Sequence, residues 1–157
     1  MLALLIPAAL LTGAWGSQLV GGLYPCEMCH WQRWPHYAAI VAAALAFAVA
    51  GRTRYVLVAV AAGLIATSGA IGLFHAGVEY GWWRGITSCT STVAIGGIGG
   101  GASADDRLAA ILNAPLVRCD RAPWTLVGVS LAGFNALFSL GGALTIWLLM
   151  SGRKIAR

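Results

Sequence analysis

The sequence predicts an all-α membrane protein, a four-transmembrane-helix bundle forming one domain over residues 1–157, with a long loop between the third and fourth helices. Two observations carry this reading. The chain is 59% hydrophobic and only 10% charged, with a mean hydropathy of +0.79, which is too apolar for a soluble domain. Its apolar residues also gather into four runs, at about 2–20, 31–50, 55–74 and 124–149. Each is close to the roughly 20 helical residues that cross a hydrocarbon core about 30 Å thick. One bundle uses the whole length and leaves no room for a soluble catalytic lobe. The formal charge of +5 invites a nucleic-acid partner, but the basic residues form no stripe and the aromatics cluster at segment ends, so none is expected.

The first run carries no charge and lacks a basic n-region. Cleavage near Ala14 would leave three spans, so it reads as a retained helix rather than a signal peptide. The second span is placed by counting back from Ala50, which starts its helix near Trp31 and sets Cys29 at the membrane surface. Pro35 then falls inside it, removing one backbone donor and bending the helix. Small residues recur every fourth position: Ala38, Ala42, Ala46 and Ala50 in the second span, Ala62, Ala66 and Ala70 in the third, Gly128, Ala132 and Ala136 in the fourth. Such stripes let helices approach closely in lipid. Asn135 and Ser139 are polar at membrane depth and are expected to bond across helices.

Four spans put both chain ends on one face and the loops at about 21–30 and 76–123 on the other. The end-side segments hold Arg52, Arg54, Arg153, Lys154 and Arg157 without an acid. The opposite face also has five basic residues, Arg33, Arg84, Arg107, Arg118 and Arg121, but these are dispersed and matched by Glu27, Glu79, Asp105, Asp106 and Asp120. Basic density therefore makes both termini cytoplasmic. The aromatics Trp31, Trp34, Tyr80, Trp82, Trp83 and Trp124 mark one interface, Tyr55 and Trp147 the other. All four cysteines then face one oxidising compartment, such as a bacterial periplasm. The long loop has five glycines within 93–103, and Ser103 with Asp106 resembles a capping box ahead of a short helix over 104–113.

The chemistry concentrates in Pro25-Cys26-Glu27-Met28-Cys29-His30-Trp31-Gln32-Arg33, a C-x-x-C pair at the start of an apolar helix. A dithiol there can pass to a disulfide and back, and a helix N-terminus favours the attacking thiolate. Residues four apart share a helix face, so Arg33 falls beside Cys29 and His30 beside Cys26. Glu27 and Met28 lie where they tune the pair. A zinc site would want a second close pair, whereas Cys89 and Cys119 are 30 residues apart; no metal is expected. Cys26 to His30 also spells C-x-x-C-H, the c-type haem attachment signature. A haem would leave Cys89 and Cys119 without a role and would crowd Trp31 and Trp34. A membrane-anchored cytochrome and a non-catalytic scaffold with structural disulfides are the alternatives to a thiol oxidase.

With these residues in place, the chain resembles the disulfide bond formation protein B family of bacterial membrane thiol oxidases. The likeness covers nearly the whole chain: the motif at 25–37, then Phe74-His75-Ala76-Gly77-Val78-Glu79 with Trp82-Trp83, Thr87-Ser88-Cys89, and Arg118-Cys119-Asp120 leading into Trp124. The vitamin K epoxide reductase relatives, which also use quinones, place their loop cysteines before the C-x-x-C; here they follow it. The resemblance implies a protein-dithiol:quinone oxidoreductase of the bacterial inner membrane, serving a periplasmic thioredoxin-fold, DsbA-like thiol oxidase. It implies that the partner attacks a Cys89–Cys119 disulfide at Cys89, that Cys119 reaches Cys26, and that Cys29 delivers electrons to a quinone of the membrane pool, ubiquinone or menaquinone. Arg33 and His75 are implied to hold the quinone, with Arg33 also stabilising the thiolate. His30 and His36 gain no role from the likeness. Only a quinone pool, not a glutathione-like one, reoxidises a partner with a potential of about −120 mV.

Overall fold

The computed structural model describes residues 1–86, 91, 92, 103, 105 and 116–155. Cys89, the glycines of the 93–103 section and, apart from residue 105, the short helix expected over 104–113 lie outside the described residues. Four long helices account for most of the rest: α1 Leu2–Leu19, α2 Glu27–Ala48, α3 Gly51–Glu79 and α4 Leu131–Ile155. Three of them, α1, α3 and the Leu131–Gly152 part of α4, are long and apolar enough to cross a membrane. The protein is a multi-pass membrane protein by that measure. In α2 the run Trp31 to His36 carries Gln32, Arg33 and His36, all of them buried. Their polar atoms face the other helices, so the low apolarity of α2 belongs to its inner face.

The helix boundaries depart from the expected ones for local reasons. The second helix starts at Glu27 rather than near Trp31, because the Cys26 side chain caps it by accepting a hydrogen bond from the Cys29 N–H at 3.3 Å. Cys29 is therefore inside the first turn. The third helix runs on both sides of the expected 55–74 span, from Gly51 to Glu79. At the fourth, residues expected to open the helix instead form a hairpin, β3 Thr125–Leu126 paired antiparallel with β4 Val129–Ser130. The turn residues Val127 and Gly128 both have positive φ, 52° and 77°. That is the conformation a two-residue hairpin needs, and it delays α4 to Leu131. Gly128 thus belongs to no helix stripe. A second ribbon pairs β1 Ser91–Thr92 with β2 Leu116–Val117.

α3 is the central helix, with α2 and α4 packed along it and α1 against α2 and α4. The core is built mostly of small residues, Ala39, Ala42 and Ala43 from α2 against Ala61, Ala62 and Ile65 from α3, Ala143, Ile146 and Met150 from α4 and Ala3 from α1. The expected every-fourth stripes are corrected in part: Ala42, Ala46, Ala62, Ala132 and Ala136 are buried, whereas Ala38, Ala50 and Ala70 are exposed. A step of four residues advances about 40° past a full turn, so a strict fourfold stripe rotates out of the interface. The contact face is kept by alternating steps of four and three, as in Ala132, Ala136, Ser139, Ala143, Ile146 and Met150 of α4. Near Gly72, α3 and α4 approach so closely that an added Cβ would sit 2.9 Å from Asn135 Nδ2 and 3.0 Å from the Ala132 carbonyl.

Candidate active site

The site lies where the N-terminus of α2 meets the C-terminal turns of α3. Cys26 closes the first turn of α2, its carbonyl accepting from the His30 N–H at 3.2 Å. The sulfurs of Cys26 and Cys29 are 2.8 Å apart. Their environments differ: Cys26 is 3% exposed, while Cys29 is half-buried at the mouth. The neighbouring Cys29 sulfur and then burial push the Cys26 thiol up from its ordinary range. Around the pair, Met28, Val78 and Cys119 are buried together with Trp31, Phe74 and Val117 against them. The end of α3 is closed over by residues 80–83, where the Trp82 N–H bonds the Gly77 carbonyl at 2.8 Å and Trp83 Nε1 bonds the Phe74 carbonyl at 2.8 Å. Phe74 and Trp83 stack with ring centres 5.8 Å apart.

Cys119, 1% exposed, is brought in from the far side of the sequence. Its sulfur, that of Cys26 and a ring nitrogen of His75 all lie within 4.8 Å of one another. His75 is 2% exposed and ends no span at the lipid surface; it is a member of the thiol cluster. Its Nε2 lies 3.5 Å from Cys26 Sγ and 3.7 Å from Glu79 Oε1. Its Nδ1 lies 2.8 Å from Gln32 Nε2. The Gln32 amide donates also to the Met28 carbonyl at 3.2 Å, and its Oε1 accepts from Asn135 Nδ2 at 2.9 Å.

From Asn135 the hydrogen bonds continue into the bundle. Asn135 Oδ1 accepts from His36 Nε2 at 3.0 Å and from Ser139 Oγ at 3.1 Å, and Ser68 Oγ donates to the Gln32 carbonyl at 2.8 Å. Asn135 and Ser139 thus bond across helices, as their depth led one to expect. A continuous chain of polar side chains from α2, α3 and α4 runs inward from the dithiol. Two buried atoms of this region, His36 Nδ1 and Glu79 Oε2, have no hydrogen-bond partner among the described residues.

Arg33 is 8% exposed and turns toward α1. Its guanidinium donates to Gln18 Oε1 at 2.9 Å and to the Ala14 carbonyl at 3.2 Å, with its carbon 5.4 Å from the Trp15 ring centre. No carboxylate pairs with it among the described residues. Two of its five N–H donors are thereby used, leaving donors and an unmatched charge near the mouth. His30 is exposed, so the C-x-x-C-H histidine points away from the cluster while Cys26 is sealed inside it. A haem bonded to both sulfurs would have to displace Met28, Val78 and Cys119 to reach Cys26. Motif reading missed Gln32 and Glu79 as neighbours of His75. Polar residues four apart at membrane depth, Gln32 and His36, were the available signal.

The family model for "Disulfide bond formation protein DsbB" matches residues 1–149. Neither the curated proteins nor the solved structures searched give a match.

Proposed function

The chain belongs to the disulfide bond formation protein DsbB family, a membrane oxidoreductase family of disulfide bond formation, and from that membership we propose that it is the thiol oxidase that recharges a soluble disulfide donor. The partner is a periplasmic thioredoxin-fold dithiol protein of the DsbA type, and the final acceptor is a quinone of the inner-membrane pool. The observation that carries the reading is the position of the Cys26 sulfur, 2.8 Å from that of Cys29 and within 4.8 Å of that of Cys119. A sulfur between two others can exchange with either. That is the geometry of thiol–disulfide relay, in which a thiolate attacks one sulfur of a disulfide and expels the other.

In the proposed sequence the reduced partner attacks the Cys89–Cys119 disulfide at Cys89 and expels Cys119, the partner's second thiol displaces Cys89 so that the partner leaves as a disulfide, and Cys119 and Cys89 then reform their own disulfide at the expense of Cys26–Cys29. Support for pairing the loop cysteines comes from the β1–β2 ladder, which sets Ser91, two residues after Cys89, beside Val117, two residues before Cys119. Cys119 forms a bond to Cys26 and Cys29 leaves as thiolate. The other loop thiol then takes Cys119 and Cys26 leaves. Cys29, the half-buried member, is the one an acceptor in the lipid phase can approach. A quinone supplies the two-electron sink there when bound. Arg33, with spare donors and no carboxylate, is suited to a quinone oxygen. His75 is assigned to the sulfur rather than to the quinone, because both its ring nitrogens face side chains of the cluster.

The test is quinone absorbance during addition of a reduced thioredoxin-fold partner. Cys26→Ser and Cys29→Ser should each abolish steady turnover; normal rates in both would make the C-x-x-C structural. Cys119→Ser, given the oxidised partner, should hold it as a mixed disulfide on Cys89: the Cys89 thiolate attacks the partner's disulfide, one partner thiol leaves, and no Cys119 thiol remains to displace the partner. Recovery of the partner on Cys26 instead would reverse the electron order. A Soret band in the purified protein would favour the cytochrome reading.

A further inference from the structure

We propose that Gln32 is a positioning residue: its amide N–H, donated to His75 Nδ1, holds the imidazole neutral with its proton on Nε2 and aimed at the Cys26 sulfur. The purpose of this arrangement rests on the relay described above, whereas its geometry does not.

The direction of the Gln32 amide is fixed from three sides. Oε1 accepts from Asn135 Nδ2 at 2.9 Å, and Nε2 donates to the Met28 carbonyl at 3.2 Å as well as to His75 at 2.8 Å. Reversing it would set donor against donor at Asn135 and oxygen against oxygen at Met28. Asn135 is itself held, with Oδ1 accepting from His36 and Ser139 and Nδ2 donating also to the Ser68 carbonyl at 3.2 Å. Three helices thus encode one orientation. An imidazole nitrogen facing an N–H must present its lone pair, and a neutral ring has one proton, so that proton is on Nε2. Around Nε2, Cys26 Sγ at 3.5 Å is within range of an N–H···S bond and the Cys119 backbone accepts from the ring as well, whereas Glu79 Oε1 at 3.7 Å is beyond the range of an N–H···O bond, so the proton is shared between the two cysteines that exchange. The same proton argues against a thiophilic metal on Cys26, His75 and Cys119, which would need Nε2 bare.

The chemistry this serves is the departure of Cys26. When the other loop thiolate attacks Cys119 of a Cys119–Cys26 disulfide, that S–S bond breaks and its electron pair stays on Cys26. The new thiolate is buried, where negative charge without a partner is costly. His75 meets it with a hydrogen bond from Nε2 and keeps its own proton, because a neutral imidazole that gave it up would become an anion. The thiolate later takes its proton from water at the mouth.

Nitrogen-15 NMR of His75 in the reduced full-length protein in micelles reads the tautomer directly. The wild-type chain should show a bare Nδ1 and a protonated Nε2. Gln32→Met, of similar length without the amide, should give a mixture of tautomers. It should also slow quinone-free, single-turnover transfer from the loop pair to Cys26–Cys29 by about tenfold or more, the size of a hydrogen bond to a charged group. Asn135→Leu unlocks the Gln32 amide and should move both readouts the same way, which keeps the test open if Gln32→Met does not fold. A merely structural role would change thermal stability and leave the tautomer alone. A wild-type His75 protonated on Nδ1 overturns the proposal, as does a variant series in which tautomer or transfer rate is unchanged. Failure of the relay itself would appear differently, as turnover surviving Cys26→Ser with the tautomer intact.

Discussion

Arg33 is the residue at which packing and chemistry make opposite demands on one side chain. It clamps α2 to α1 through Gln18 and the Ala14 carbonyl and lies near the Trp15 ring, yet it carries a charge that no carboxylate balances among the described residues. If the clamp were its whole role, Arg33→Lys would lower the melting temperature through lost bonds to α1 and leave the enzyme's response to quinone alone. If it also holds a quinone oxygen, the planar fork matters, because lysine is a point charge that cannot bond two groups in one plane. Loss of one charge-assisted hydrogen bond weakens apparent quinone affinity by about ten- to hundredfold. The expected result is a raised quinone KM with near-normal single-turnover transfer from the partner to the loop cysteines. An unchanged KM in a destabilised Arg33→Lys protein would reduce the residue to a clamp.

At the scale of the helices, the approach of α3 to α4 decides how well the buried polar chain is held. A methyl group at Gly72 would press on the Asn135 side-chain Nδ2, which can move only by giving up its hydrogen bonds, and on the backbone of Ala132 and Ala136, which cannot yield as a flexible side chain could. Gly72→Ala should therefore destabilise the protein by about 1–3 kcal/mol, as overpacking does, and displace Asn135 from Gln32. Gly63→Ala is the contrast, since nothing lies within 4 Å of its added Cβ; it should be neutral or stabilising by up to about 1 kcal/mol. Equal melting temperatures for the two variants would show that the helix contact is not this tight. The sequence made the helices visible because each is a long apolar run, a signal of composition alone. Their ends were not visible, because a cysteine side chain caps α2 and a hairpin with Val127 at positive φ postpones α4. The site divided along the same line. The C-x-x-C is local and readable, whereas Cys26 meets His75 across 49 residues and Asn135 meets Gln32 across 103. No spacing rule reaches that far, so His75 could be singled out but not its partner.

For the whole molecule the open quantity is the number of crossings, since α2 is not apolar enough to be counted as a span by composition. Packing supplies what composition does not. At one end Cys26 meets His75, further along Ser68 bonds the Gln32 carbonyl, and at the other end Arg54 Nε bonds the Ala46 carbonyl at 3.0 Å. α2 therefore runs antiparallel to α3 along its whole length, and its 22 residues reach about 33 Å, enough for the hydrocarbon core of about 30 Å. If α3 crosses, α2 crosses beside it, with its polar face turned to α3 and α4 rather than to lipid. The prediction is four crossings with Met1 and Arg157 on the same side, the cytoplasmic one, given Arg52, Arg54, Arg153, Lys154 and Arg157 without an acid there. Fluorescent-protein fusions at either end should fluoresce in intact bacteria, and alkaline phosphatase inserted at Ser103 should be active. Terminal reporters on opposite sides would mean that α2 does not cross. Both termini outside, with an inactive loop fusion, would invert the molecule and put the cysteines in the reducing compartment, where the proposed disulfide relay could not be sustained.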